Sequence, residues 1–242
     1  MKSFLKNHIL LFIIGLGLAM SLGFGIHKQV RKLEAEHKEA QKLMVEVEKL
    51  RKAVKDQEEL VQKRTQRKND LKAMEEHIIR SIQISGAKLT DVQTSIVVPV
   101  LTTVAMNQLD TFEQRELWIA IIANESKFNV KAKSPVGAVG IGQIMPKSGE
   151  WYGKQCDMHD ITEQDLYDVR INAMLSACIF KVILKHTNGS AVRALIAYNA
   201  GQFSKDLTRI EQLTNINQES ANYIAKIQRF LEKTRDYSLL TE

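Results

Sequence analysis

The first 85 residues show two successive patterns of apolar and polar positions. Residues 9–26 carry no charged side chain and follow Lys2 and Lys6, and their length is about that of a helix that crosses a bilayer. The pattern predicts a transmembrane anchor within residues 1–26. A cleavable signal peptide, cut near residues 19–21, is the alternative. The apolar run continues past that point to Ile26 and favours the anchor.

Residues 27–85 predict a long helical stalk. From His27 to Gln83 there is no proline or glycine. Of the nine positions spaced seven residues apart from Ile26 to Ile82, seven are apolar, and such a repeat is typical of a coiled coil. The best part of this seam is formed by Val47, Leu50 and Val54. A single solvated helix held by charge pairs is the other interpretation, and sedimentation of the protein distinguishes the two.

Ser85-Gly86 interrupts the helical pattern and marks the predicted start of a second domain, residues 86–242. Strand signals are weak there, so we expect an all-α domain. Residues 111–114 (TFEQ) fit a capping box for a helix that ends near Glu125. Further helices are expected near 163–187, from 190 to a stop at Gly201, and near 218–236. Pro99 and its β-branched neighbours leave residues 91–109 ambiguous.

The net charge of +6 is concentrated before residue 81. Residues 27–80 carry 15 lysines and arginines against 11 acidic residues, whereas residues 81–242 carry 17 of each kind. A nucleic-acid-binding protein would carry its basic patch on the folded domain. We therefore expect no nucleic-acid partner.

Cysteine and histidine show no metal-binding pattern. The six histidines are scattered, and Cys156 and Cys178 are the only cysteines. We therefore expect neither a metal nor a cofactor. The two cysteines are either separate thiols or a single bridge between a loop and a helix, and a bridge requires an oxidising compartment.

Glu125 is the candidate for acid chemistry. It follows the apolar run LWIAIIA (residues 117–123) and precedes a loop with three glycines in residues 137–142. It could cap a helix, pair with Lys127, or act as an acid. Apolar surroundings disfavour the ionised form, so a carboxyl group there can keep its proton near neutral pH and donate it. A lone glutamate at a helix end is usually a solvated residue, so the neighbouring motifs decide.

Four sequence blocks, in order, resemble the lytic transglycosylases of the soluble-lytic-transglycosylase (SLT) type. These enzymes belong to the lysozyme superfamily and are related to goose-type lysozyme. The blocks are ESKF with AKSPVGAVGIGQIMP (residues 125–128 and 132–146), DLYD with Asn172, AYNAG (197–201) and NYIAKI (222–227). The resemblance covers roughly residues 110–230 and implies an all-α, lysozyme-like catalytic domain.

The resemblance also implies an activity, with Glu125 as the single catalytic carboxylate. It would protonate the glycosidic oxygen between N-acetylmuramic acid and N-acetylglucosamine in peptidoglycan. It would then act as a base while the muramyl 6-hydroxyl closes a 1,6-anhydro ring. Tyr198 is expected to orient the acid or the substrate acetamide, and other cleft residues are expected to bind the glycan. The positions that match the family's cleft are Ser134, Gln143, Tyr198, Asn199 and Tyr223.

Two positions depart from the family pattern. Gly142 stands where the family usually has methionine, and Val169 where it has proline. The methionine side chain normally walls the cleft, so the change at position 142 affects the expected affinity for glycan rather than the acid itself. A lysozyme-type hydrolase and a non-catalytic, peptidoglycan-binding assembly protein are the alternative functions.

The implied substrate sets the expected location. A domain that cuts the wall acts outside the cytoplasm, so we expect a single-pass protein of the bacterial inner membrane with residues 27–242 in the periplasm. Lys28, Arg31 and Lys32 oppose this orientation under the statistical positive-inside rule. The expected partners are peptidoglycan strands, the membrane, and a second copy or an apparatus protein at the stalk. Small enzymes of this kind open the wall for a secretion or conjugation channel, or for a phage.

Overall fold

The computed structural model describes the backbone of residues 2–201 and 216–239, with side chains for 14–16, 20–201 and 216–235. Contacts divide the chain into two units, Met1–Gln66 and Arg67–Glu242. One helix, α1 (Lys2–Ser85), begins in the first unit and ends in the second.

In the first unit, the described part of α1 exposes its side chains. Val47, Leu50 and Val54 of the predicted seam are 46%, 61% and 57% exposed. Because α1 runs without a break through residues 27–85, the predicted helical character of this segment is confirmed. The coiled coil stays a prediction.

The predicted anchor falls partly outside the described residues, which do not include the side chains of 1–13 and 17–19. Within the described part of the chain, no helix is both long enough and apolar enough to cross a membrane. The anchor stays a prediction.

The second unit is helical, and the all-α prediction is confirmed. Over residues 67–201 and 216–239, the only extended pairing consists of two isolated bridges, which join Val139 to Lys133 and to Ile144. The four helices that the sequence predicts after residue 110 lie close to the expected positions, whereas the helix at 146–155 was not predicted. After α1 come α2 (Asp91–Gln108), α3 (Phe112–Ser126), α4 (Pro146–Gln155), a 3₁₀ turn (Asp165–Tyr167), α5 (Val169–His186), α6 (Ala191–Ala200) and α7 (Gln218–Leu239).

Helix α3 is the centre of this unit. Every side chain from Glu116 to Ala123 is buried, whereas a surface helix would bury only one stripe. Helices α2 and α7 pack on α3, and the indole of Trp118 donates a hydrogen bond to Ser176 Oγ of α5 at 3.2 Å. Neighbours on several sides fix the helix in place, and with it the last turn that carries Glu125.

At the start of α3, Thr111 is the cap, as predicted. Of the two hydrogen bonds of a capping box, the bond to the Thr111 side chain is present, and the bond to the Gln114 side chain has a different donor. Thr111 Oγ1 accepts from the backbone N–H of Gln114 at 3.3 Å. The Gln114 side chain accepts from the N–H of Asp110 at 3.0 Å, one residue before the cap. A complete capping box forms at α2 instead, between Thr90 and Gln93.

Helix α2 forms where the sequence was ambiguous, and it continues through Pro99. Proline inside a helix removes one backbone hydrogen bond. Val97, Leu101 and Ala105, spaced four residues apart, are buried in the core. Burial of this apolar stripe offsets the lost bond.

The last turns of α1 belong to the core of the second unit. Met74, Ile78 and Ile82 are buried at four-residue spacing, and the ring of His77 lies edge-on to Phe112 with 6.0 Å between centroids. The helix ends at Ser85, where the sequence indicated a break. The compact unit thus includes residues that the sequence pattern assigned to the stalk.

Cys156 and Cys178 are joined by a disulfide. Cys156 caps the C-terminal end of α4, and Cys178 lies within α5. Of the two possibilities that the sequence left open, the structure has the bridge. It fastens α4 to α5.

Removing the bridge is expected to lower the free energy of unfolding by about 3 kcal/mol, because a cross-link that closes a loop of this size restricts the unfolded chain. The variant is Cys156→Ser/Cys178→Ser, and urea unfolding followed by circular dichroism measures the change. A reductant should reproduce the loss in the wild-type protein and have no effect on the variant. Equal stability of the two proteins in oxidising buffer would contradict the prediction.

Candidate active site

Glu125 lies in the last turn of α3, where the buried helix reaches the surface. Lys127 and Phe128, two and three residues on, have left-handed backbone angles (φ of 50° and 61°), which are uncommon for residues other than glycine. The side chain of Phe128 is fully buried and anchors this sharp turn. The turn leaves Glu125 half-buried at the edge of the core.

The carboxyl group of Glu125 accepts a hydrogen bond from Tyr223 of α7, with 2.6 Å between Oε1 and the phenol oxygen. Burial raises the pKa of Glu125 above its usual value, because removal of water disfavours the charged form. The bond from Tyr223 lowers the pKa by a smaller amount. Glu125 therefore holds its proton to a higher pH than an exposed glutamate does.

Two tyrosines face this carboxyl group, and both keep their protons at neutral pH. Burial, with the charge of Glu125 as the next cause, raises the pKa of Tyr198 and of Tyr223 far above the usual value. Tyr198 donates its hydroxyl to the carbonyl oxygen of Gly142 at 3.0 Å. The tyrosine hydrogen-bonded to Glu125 is thus Tyr223, whereas the sequence suggested Tyr198 for orienting either the acid or the substrate acetamide.

Glu125 opens onto a cleft of about 310 Å³. The walls are formed by the loop after α3 and by residues of α4, α5 and α6. Among the described lining residues, Glu125 is the one acidic side chain. The polar lining residues are Ser134, Gln143, Ser148, Tyr152, Tyr198 and Asn199, and the large apolar ones are Val136, Ile144, Met145, Ile179 and Ile183.

The glycine-rich loop takes its shape from one buried side chain, Asn172 of α5. Its amide nitrogen donates to the carbonyl oxygens of Val139 and Leu166 at 2.9 and 2.8 Å. Its oxygen accepts from the N–H of Gly142 at 2.8 Å. Gly140 has a φ of 78°, and a Cβ there would lie 2.2 Å from the Asn172 amide nitrogen. Glycine is therefore required where the loop meets the helix.

The cleft brings together four of the five predicted glycan-binding residues, and the fifth, Tyr223, reaches Glu125 from α7. Ser134 Oγ accepts from a backbone N–H four residues on, and Gln143 Nε2 donates to a carbonyl three residues before it. Both side chains thus also stabilise the loop. The amide nitrogen of Asn199 is buried and has no hydrogen-bond partner within the described part of the chain.

Gly142 is held tightly between α5 and α6. Its N–H binds Asn172, and its carbonyl oxygen accepts from Tyr198. A Cβ at position 142 would lie 2.6 Å from the Cβ of Ser176, closer than real contacts allow. A side chain here would point at α5. Gly142 itself lines the cleft, so the expected effect of its missing side chain on the affinity for glycan stays a prediction.

Three residues that shape the site received no role from the sequence: Asn172, Ser176 and Tyr152. Asn172 belonged to one of the recognised sequence blocks, so its place in that block could have indicated a role in the site. Ser176 and Tyr152 stand in no recognised block. They meet the loop and the cleft only through the packing of α4 and α5.

Comparison with known proteins agrees with this geometry. Residues 105–220 match the family model described as transglycosylase SLT domain. An inactive mutant of the lytic transglycosylase Slt from Pseudomonas aeruginosa is 21% identical, with a TM-score of 0.51, over 60% of this chain and 24% of that chain. The 70 kDa soluble lytic transglycosylase SLT70 from Escherichia coli is 16% identical, with a TM-score of 0.47, over 69% and 30%. The match spans less than a third of either protein.

The helical unit that surrounds Glu125 therefore has a fold similar to that of the lytic transglycosylase Slt. More specifically, residues 105–220 within this unit match the transglycosylase SLT domain. The resemblance drawn from the four sequence blocks is confirmed.

Gly142→Ala is expected to lower the free energy of unfolding by about 1–3 kcal/mol, because the new methyl group overlaps the Cβ of Ser176. Ser176→Gly removes that atom but also the bond from Trp118, so it carries a cost of its own. In a double-mutant cycle, Gly142→Ala should therefore cost less in the Ser176→Gly background than in the wild type. Urea unfolding measures the four proteins. Additive costs would contradict the close contact.

Proposed function

We propose that this chain is a peptidoglycan lytic transglycosylase that cleaves the β-1,4 bond between N-acetylmuramic acid and N-acetylglucosamine. The observation that carries the proposal is the placement of one carboxyl group, Glu125, at a cleft whose other described lining residues are neutral. The match of residues 105–220 to the transglycosylase SLT domain supports the same reaction.

Glu125 acts first as an acid. Its raised pKa keeps it protonated at a pH where an exposed glutamate has lost its proton, so it can donate to the glycosidic oxygen as the bond to the anomeric carbon breaks. Most glycosidases use a second carboxylate for the nucleophile or for activating water. Here the acetamide of the substrate stabilises the positive charge at the anomeric carbon instead.

Glu125 acts next as a base. Now ionised, it takes the proton from the muramyl 6-hydroxyl, whose oxygen attacks the anomeric carbon and closes a 1,6-anhydro ring. No water is consumed. The bond from Tyr223 favours the ionised form and burial favours the neutral one, so the group can alternate between the two states during the reaction.

We infer further that residues 1–26 anchor the chain in the bacterial inner membrane, with the catalytic domain in the periplasm. There it would open the wall locally for a secretion or conjugation channel, or for a phage. The uncharged stretch 9–26 supports the anchor. The Cys156–Cys178 bridge supports an oxidising compartment.

Glu125→Gln is expected to slow the cleavage of purified peptidoglycan by about 10²–10⁴-fold, because glutamine keeps the shape but has no transferable proton. The rate is measured with the full-length protein as loss of turbidity. Co-sedimentation with insoluble peptidoglycan should show unchanged binding. Glu150→Gln, at an exposed glutamate of α4, is the matched control and should cleave like the wild type.

The products and the variant together decide between the reactions. Mass spectrometry of the wild-type digest should find 1,6-anhydro-N-acetylmuramic acid ends. Reducing ends would identify a lysozyme-type hydrolase with water as the nucleophile, and binding without cleavage would indicate a glycan-binding protein. Full activity of Glu125→Gln would exclude Glu125 as the acid.

Alkaline phosphatase fused to the C-terminus is expected to be active in cells, because that enzyme folds only after export to an oxidising compartment. A green fluorescent protein exported by the general secretory route does not mature, so its fusion should be dark. The opposite result would place the domain in the cytoplasm. A mature N-terminus at Leu22, found by sequencing the purified protein, would replace the anchor with a cleaved signal peptide.

A further inference from the structure

Helices α3 and α7 lie side by side and are joined by polar contacts at two separate points. At one point, Tyr223 donates to Glu125 at 2.6 Å. At the other, Nη2 of Arg235 donates to Oε2 of Glu116 at 2.9 Å. Tyr223 precedes Arg235 on α7, whereas its partner follows Glu116 on α3, so the helices run in opposite directions. One contact lies near each end of the stretch over which α3 and α7 run side by side.

The contact between Glu116 and Arg235 lies at the border of the core. The side chain of Glu116 is 7% exposed and that of Arg235 is 61% exposed. The charged and titratable neighbours are His77 and Arg80 of α1 and Glu113 of α3. Burial lowers the pKa of His77, so this side chain is neutral near pH 7. The cation that binds Glu116 directly is Arg235.

Many of the other contacts of α7 with the core are apolar. Ile227 is buried, and Phe230 and Leu231 pack against the core cluster. Apolar contacts are non-directional, so they hold α7 against its neighbours more firmly than they fix its position along its own axis. The axial register of α7 therefore depends on its polar contacts.

We propose that Glu116 and Arg235 are positioning residues, whose ion pair fixes α7 in the register that places the Tyr223 hydroxyl on the carboxyl group of Glu125. A charge-assisted hydrogen bond is both strong and directional, so it resists sliding. From the helical rise, the two contacts are separated by about 13.5 Å along α3 and about 18 Å along α7. The long side chain of Arg235 spans the difference between these two axial distances.

The consequence for catalysis rests on the function proposed for Glu125, whereas the positioning itself does not. Among described residues, the titratable groups that face Glu125 are Tyr223 of α7 and Tyr198 of α6, with Tyr152 of α4 next to Tyr198. Only Tyr223 belongs to α7. A shift of α7 therefore reaches Glu125 through the Tyr223 bond.

The test is a titration of the Glu125 carboxyl carbon by ¹³C NMR, with the full-length protein in detergent micelles. The bond from Tyr223 lowers the pKa of Glu125, so Tyr223→Phe should raise that pKa. Arg235→Ala should move it in the same direction. The double variant Tyr223→Phe/Arg235→Ala should move it no further than Tyr223→Phe alone.

Two further variants serve as controls. Lys233→Ala removes an exposed cation from the same part of α7 and should leave the pKa of Glu125 unchanged. Arg235→Lys keeps a cation near Glu116 and should restore part of the wild-type value. In cleavage assays, Arg235→Ala should lower kcat by up to about 100-fold with little change in KM, as expected for a misplacement of about 1 Å.

An unchanged pKa of Glu125 in folded Arg235→Ala, or additive shifts in the double variant, would overturn the proposal. If Arg235→Ala does not fold because Glu116 loses its cation, Glu116→Met/Arg235→Ala replaces the pair by apolar groups and must show the same shift. A wild-type protein that does not cleave peptidoglycan would overturn the proposed function instead. The titration decides the positioning without reference to cleavage.

Discussion

The carboxamide of Asn172 is the constraint on which the site depends. One buried side chain binds the carbonyl oxygens of Val139 and Leu166 and the N–H of Gly142. Buried backbone groups must be paired, and the loop before α4 is held by turn bonds and two isolated bridges rather than by a full helix or sheet. Asn172 adds three bonds from α5. Tyr198 donates to the carbonyl oxygen of Gly142 in the same loop. By fixing Gly142, Asn172 therefore also fixes the position of the Tyr198 hydroxyl near Glu125.

The raised pKa of Glu125 arises from where α3 ends rather than from a charged neighbour. A helix that is buried on every side stabilises the unit through its apolar contacts, and the same contacts exclude water from its last turn. Exclusion of water raises the pKa of Glu125. The stability of the unit and the raised pKa of Glu125 therefore come from one element.

Local signals in the sequence predicted most of the fold, and contacts between distant segments explain what it missed. The helices around Glu125 follow from caps and apolar periodicity, and the cleft residues follow from short motifs. The clash between position 142 and Ser176 depends on how the loop approaches α5. No local sequence pattern predicts how closely the loop approaches α5. The pairing of Glu116 with Arg235 across 119 residues and the choice of a disulfide over two thiols depend on packing in the same way.

The way α1 ends has a practical consequence for the isolation of the second unit as a fragment. A natural place to cut is the loop at Ser85-Gly86, but Met74, Ile78 and Ile82 lie on the other side of that cut and are buried in the core. A fragment that starts at Gly86 would expose the apolar surface that these side chains cover, and such surface promotes aggregation. A fragment that keeps α1 from about Arg67 onward retains these three side chains and the apolar contacts that they make.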